Sequence, residues 1–141
     1  MSTNHYRNLE RMYLAAPINK YYSPSIDISD GQALIEISVR DDFFHAAKAI
    51  HGSIYFKALD DAAYFAVNSV VQDYFVLTVS FNIYINLPVS SGILRAEGRL
   101  VSGTSRHYVG ESFLTVDGQE VARGSGTFLK SKMKLSETPG Y

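Results

Sequence analysis

A chain of 141 residues, 46% of them hydrophobic, is long enough for one domain with one sizeable core and too short for two ordinary ones. Thirteen Lys and Arg against fourteen Asp and Glu, with a pI near 6.4, give none of the basic excess that a nucleic-acid or anionic-membrane surface requires. The absence of cysteine excludes disulfides, thiolate nucleophiles and cysteine metal sites, and nothing points to an oxidising compartment.

In chain order, MSTNHYRNLERMYLAA intersperses Arg7, Glu10 and Arg11 among apolar residues and lacks the continuous apolar run of a signal peptide, so a cytoplasmic protein is expected. Leu9, Met12, Tyr13 and Ala16 fall at helical spacing behind Ser2, Thr3 and Asn4 as caps, with Pro17 as a stop. Residues 1–20 therefore read as an N-terminal helix and linker. From Gln32 to Arg40 apolar and polar residues alternate, as in a half-buried strand. DDFFHAAKAIHG fits neither period and reads as an irregular connection. Between Ser53 and Val71 the strongly polar residues are Lys57, Asp60, Asp61 and Asn68, the composition of a long helix buried on most of its circumference. The cleanest alternation follows, with Leu77, Val79, Phe81, Ile83, Ile85 and Leu87 on one face and Thr78, Ser80, Asn82, Tyr84 and Asn86 on the other, ended by Pro88. Further strands run from Ile93 to Val101, with Arg95, Glu97 and Arg99 outward, and from His107 to Val116. Asp117-Gly118 is a hairpin turn leading into a last strand from Glu120 to Lys130, and residues 135–141 read as a flexible tail after a domain spanning 21–134. No segment approaches the roughly 18 apolar residues of a membrane span.

One helix apolar nearly all round has to be enclosed. Its order among the strands predicts an α+β fold, a curved antiparallel sheet wrapped around one long central helix.

Two adjacent acids interrupt that helix. At about 100° per residue, Asp61 shares a stripe with Lys57, Tyr64 and Asn68 and reads as a solvated or interface carboxylate. Asp60 has Phe56, Ala63 and Val67 for helical neighbours, and a carboxylate in such company costs several kcal/mol unless it is paired or neutralised. At the helix start, Gly52 follows His51 where backbone N–H groups lack intrahelical partners and the dipole is positive, a site able to polarise a carbonyl oxygen. Asp60 lies more than two turns further on and cannot reach the same carbonyl within one chain, so a site shared between two chains is expected.

HGSIYFKALDDAAYFAV resembles the His-Gly-Gly helix start of hotdog-fold acyl-CoA thioesterases of the phenylacetyl-CoA thioesterase-like group, which carry an acid nine residues after the histidine. TVSFNIYINLPV resembles their central strand and GILRAEGRLVSGTSRHYVGESFLTVDGQEVARGSGTFL their closing hairpins. The resemblance covers about residues 26–130. It implies Asp60 as general base or nucleophile, Gly52 N–H as donor to the thioester oxygen, and Thr78 as the residue that positions the attacking water. It implies a homodimer joined edge to edge through the central strands, with a dimer of dimers above that, and coenzyme A as part of the substrate rather than a cofactor. Two positions depart from the pattern: Ser53 replaces the second glycine, and His45 stands where Asn or Gln is usual, able to donate a hydrogen bond in its place or to exchange a proton. His51 orients the helix start. Phe43, Phe44, Tyr55 and Tyr64 are candidates to line the acyl pocket, and Arg106, Lys130 and Lys132 to meet phosphates. The histidines and acids show no metal-ligand spacing. The rival expectations are a hotdog-fold dehydratase of hydroxyacyl thioesters using His45 with Asp60, and a non-catalytic acyl-CoA-binding protein.

Overall fold

The computed structural model describes residues 3–141; Met1 and the expected cap Ser2 lie outside them. The elements are α1 (Thr3–Ala15), α2 (Asn19–Tyr22), β1 (Ser25–Ser29), β2 (Gln32–Ser38), α3 (Gly52–Asn68), β3 (Tyr74–Ile85), β4 (Ile93–Gly103), β5 (His107–Val116) and β6 (Gln119–Lys134). The strands form one antiparallel sheet in the order β1-β2-β4-β5-β6-β3. The sheet curves around α3, which touches all six strands, so the expected hotdog architecture is the one observed.

The sequence of α3 explains how closely it sits. Ala58, Ala62, Ala63 and Ala66 are fully buried, and small side chains let the helix axis approach the strands. At Gly98 of β4 a Cβ would collide with the Ala62 carbonyl, so this contact needs glycine. The Ser112 hydroxyl of β5 donates 2.7 Å to Leu59 O, tying helix to sheet from the other side. Leu59 and Val67 then pack with Ile35, Ile37, Leu94, Leu114 and Phe128 in one core.

Four expectations change. First, the polar stripe of α3 is covered by α1, not by water. Tyr13 packs edge-on against Phe65 at 4.9 Å, and the buried His5 places Nε2 2.9 Å from Asn68 O. Asn68 is itself fully buried, its side chain tied to Val71 O, Tyr74 O and Val76 N where α3 hands over to β3. Second, β1 pairs with β2 through a turn at Gly31 (φ +68°); SIDIS is too short and too polar to announce itself by period. Third, residues 135–141 pack onto the domain instead of trailing from it. Leu135 is fully buried and the Tyr141 hydroxyl lies 2.7 Å from His5 Nδ1, so the C-terminal segment packs against α1.

Strand β3 holds the largest departure. It lies at the sheet edge, bonded to β6 on one side only. A bulge between Thr78 and Ser80 breaks the alternation: Thr78 lies opposite Phe128 and Ser80 opposite Thr127. Val76 and Thr78 before the bulge, and Phe81 and Ile83 after it, all face α3 or the core. Leu77, Val79, Tyr84 and Ile85 stay 45%, 64%, 65% and 47% exposed, so the apolar face read from the sequence is not one buried face.

Candidate active site

Helix α3 opens with a side-chain cap. His51 Nδ1 accepts from Ser53 N at 3.0 Å and lies 2.8 Å from Ser53 Oγ, so both residues hold the first turn, the work that Ser53 is suited to in place of a second glycine. Gly52 follows, its N–H at the positive end of the helix dipole. A cleft of about 300 Å³ opens there, lined by His45, Gly52, Tyr55, Ile85, Leu87 and Pro88. His45 Nδ1 accepts from Ala47 N at 3.0 Å, which in the neutral ring leaves the proton on Nε2. A histidine so held can donate from Nε2.

Asp60 lies eight residues further on, about 12 Å along the axis. It faces β3 and accepts 3.0 Å from Thr78 Oγ1. The two line a cavity of about 490 Å³ whose other walls include Met12, Ala16, Tyr64, Phe75 and Thr138. Burial, with the neighbouring Asp61 charge second, pushes the Asp60 carboxyl up to about 6, against the opposing help of Thr78 and Lys57. The Asp60 carboxyl is therefore partly desolvated and changes charge near pH 6, a property that suits a base. Asp61 lines the same cavity but turns its carboxylate toward α1. It accepts 2.7 Å from Tyr13 OH and pairs with Lys57 Nζ at 2.8 Å, both charged side chains largely buried. The expectation of a solvated Asp61 is thus corrected: α1 covers it, and burial raises its carboxyl in spite of these partners.

Tyr64 packs its buried ring on Phe65 and Phe75 within the cavity wall; its hydroxyl makes no hydrogen bond of ordinary geometry among the described residues. Phe43 and Phe44 do not line this cavity: Phe43 is core, and Tyr55 is buried with its hydroxyl donating 2.7 Å to Leu87 O. Arg106 sits exposed in the β4–β5 turn, its carbonyl accepting from Lys130 N, and lines neither cavity. Lys130 Nζ pairs with Asp73 at 3.2 Å, and Lys132 is exposed.

The structure thus brings Asp60, Thr78 and Tyr64 together, gathers His45 and Gly52 with the His51–Ser53 cap at the other end of the helix, and leaves Arg106 apart. The sequence reading missed the roof that α1 and the tail place over the acid, and the Tyr13–Asp61–Lys57 assembly. The one available signal was Lys57 and Asp61 at i, i+4. No three histidines or acids gather at metal-binding distance among the described residues, and none of their helices is long and apolar enough to cross a membrane.

No family model and no curated protein matches the sequence. Solved structures do. The PaaI protein of the E. coli phenylacetic acid degradation operon superposes with a TM-score of 0.86 at 20% identity, over 94% of this chain and 97% of that one. A Ralstonia eutropha protein described as a candidate thioesterase related to phenylacetic acid degradation gives 0.77 at 21% identity, over 87% and 98%. The phenylacetic acid degradation protein PaaI of Thermus thermophilus, solved as a mutant, gives 0.75 at 20% identity, over 82% and 99%. At these identities the likeness establishes architecture: the chain has the hotdog fold shared by these phenylacetic acid degradation and thioesterase-superfamily proteins.

Proposed function

We propose that the protein is a thioester hydrolase that cleaves an aryl-, short- or medium-chain acyl-CoA to the free acid and coenzyme A. The observation that carries this reading is Asp60, a carboxylate held near neutrality beside the Thr78 hydroxyl in a largely apolar cavity. In the proposed reaction a water bound by Asp60 and Thr78 loses its proton to Asp60 as its oxygen attacks the thioester carbon. Gly52 N–H, with His45 beside it, holds the oxyanion. When the tetrahedral intermediate collapses, the C–S bond breaks and the proton on Asp60 goes to the departing sulfur. Direct attack by Asp60 to give an anhydride that water then opens is the other route through the same residues.

Asp60 and Gly52 are too far apart to serve one carbonyl within a chain. The exposed apolar side chains on the free edge of β3 favour a homodimer. An antiparallel pairing of two such edges near Phe81 and Asn82 would set the Thr78 end of one chain beside the Ile85 end of its partner, and so one chain's Asp60 cavity beside the other's Gly52 cleft. A dimer of dimers, a cytoplasmic location, and phosphate contacts from Arg106 belong to the same proposal.

The test is release of free CoA thiol from a panel of aryl, short-chain and medium-chain acyl-CoAs by wild type and Asp60→Asn. Turnover that vanishes in the variant supports hydrolysis and names the acyl class. Dehydration of a hydroxyacyl-CoA, or binding with no turnover, refutes it in favour of the dehydratase or the acyl-CoA-binding protein.

A further inference from the structure

Asp60 has a second acid for its immediate neighbour, and their surroundings treat the two differently. Both line the cavity, with Lys57 and Tyr13 in the same wall, and Asp60 faces β3 through Thr78. Asp61 turns toward α1 and is locked there, one oxygen, Oδ2, accepting from Tyr13 OH at 2.7 Å and meeting Lys57 Nζ at 2.8 Å. Lys57 Nζ lies in turn 5.2 Å from the Tyr13 ring centroid and 5.1 Å from that of Tyr22, a cation held against two aromatic faces. An exposed i, i+4 pair would be mobile and screened. Here the side chains are only 14% and 16% exposed, so the charges are fixed in place and act on Asp60 through protein more than through water.

We infer that the buried Tyr13–Asp61–Lys57 assembly is a positioning device for the Asp60 base: Asp61 holds a fixed negative charge against it, Lys57 moderates that charge, and the pair together sets the pH at which Asp60 becomes competent.

The groups that face Asp60 are few. Asp61, Lys57 and Tyr64 come from α3 itself, Tyr13 from α1 and Thr78 from β3, while Tyr22 of α2 faces Lys57. Burial keeps the three tyrosines protonated. Asp61 is the group that opposes ionisation of Asp60, whereas Thr78 and Lys57 favour it, and Lys57 is the weakest of these influences. The order fixes three signs. Asp61→Asn removes the opposing charge and leaves Lys57 unmatched, so Asp60 ionises at lower pH. Lys57→Met leaves Asp61 unmatched, so Asp60 ionises at higher pH. The double variant Asp61→Asn/Lys57→Met still moves Asp60 down, by less than the single asparagine does, and it leaves no lone buried charge to unfold the chain.

The device matters for turnover only if Asp60 is the base proposed above, but its electrostatics are measurable without turnover. The experiment is carboxyl-carbon NMR titration of protein labelled at the aspartate side-chain carboxyl, the Asp60 signal being assigned by its loss in Asp60→Asn. Where thioesters are hydrolysed, it runs beside the acid limb of the kcat/KM profile. The expected result is a downward move of about one pH unit in Asp61→Asn, a smaller one in the double variant and an upward one in Lys57→Met. Asp60 titrating at the wild-type pH in the double variant overturns the inference, as does a shift of the same sign in Asp61→Asn and Lys57→Met. Shifts of the expected signs in protein that hydrolyses no thioester would leave the device standing and remove the hydrolase reading instead. An acid limb that moves with the NMR titration joins the two.

Discussion

Thr78 Oγ1 donates a 3.0 Å hydrogen bond to Asp60 Oδ1 across the gap between β3 and α3. Eighteen residues separate them in the chain, and the bond is the point at which the sheet edge meets the buried helix. A hydroxyl bonded to a carboxylate stabilises its charged form, so it works against the desolvation around it. Thr78→Val should therefore move the acid limb of the turnover profile to higher pH and lower kcat about tenfold or more. A pH–rate profile of the purified variant checks it; an unmoved limb with full kcat would detach Thr78 from the chemistry.

Asp60 carries a stability signature as well as a kinetic one. Its folded-state value of about 6 lies above the roughly 3.9 of an unfolded aspartate, so the folded chain holds the proton more tightly. Stability from this group is thus fully present below about pH 4, falls as pH rises toward about 6, and stays lower above it. Asp60→Asn should abolish turnover yet make the protein more stable than wild type at pH 7, by about 1–2 kcal/mol once residual hydration is allowed for, with the gain disappearing below about pH 4. Denaturant unfolding at the two pH values measures it. A variant less stable than wild type at pH 7 would show that the site does not strain the acid.

The free edge of β3 offers a test of assembly. Val79 is 64% exposed on the edge strand β3, and a charge on such a strand opposes pairing with another chain. Val79→Lys should give a smaller species by light scattering, with thioester turnover lost and the fold retained by circular dichroism. An unchanged mass with full turnover would place the contact between copies elsewhere.

The closeness of α3 to β4 rests on one missing side chain. Gly98→Ala sets a methyl group against the Ala62 backbone, which cannot yield as a flexible side chain would. The expected loss is about 2–4 kcal/mol, in the range of severe overpacking. Thermal unfolding reads it, and a Tm within a degree of wild type would mean that the helix can shift away freely.

The central helix, the four later strands and their wrapping were legible because period and composition are local properties: α3 announces itself by its alanines and few polar residues, β4 by Arg95, Glu97 and Arg99. What covers a face is not local. The stripe of Lys57, Asp61, Tyr64 and Asn68 is polar in any reading, yet only the folded chain shows α1 lying over it, since Tyr13 and His5 meet residues more than 45 positions away. The tail was misjudged for the same reason. Leu135 and Tyr141 stand among residues of flexible character and are placed by distant partners. Asp60 could be singled out by its apolar neighbours, and Thr78 only by family resemblance, because a strand that bulges does not keep the alternation from which its faces are read.

That bulge divides β3 into two short strands in series. With an unbroken alternation, Phe81 facing the core would require Thr78 to face away from Asp60; the extra residue lets both point inward. The offset is taken up between Thr78 and Ser80. The segment before it can therefore be fitted to the acid, while the segment after it keeps its match to β6 and its apolar outer edge. Changes that retune the contact with Asp60 need not be transmitted to the register of the segment beyond, and a single inserted residue makes the fit to the helix and the fit to β6 separable problems along one strand.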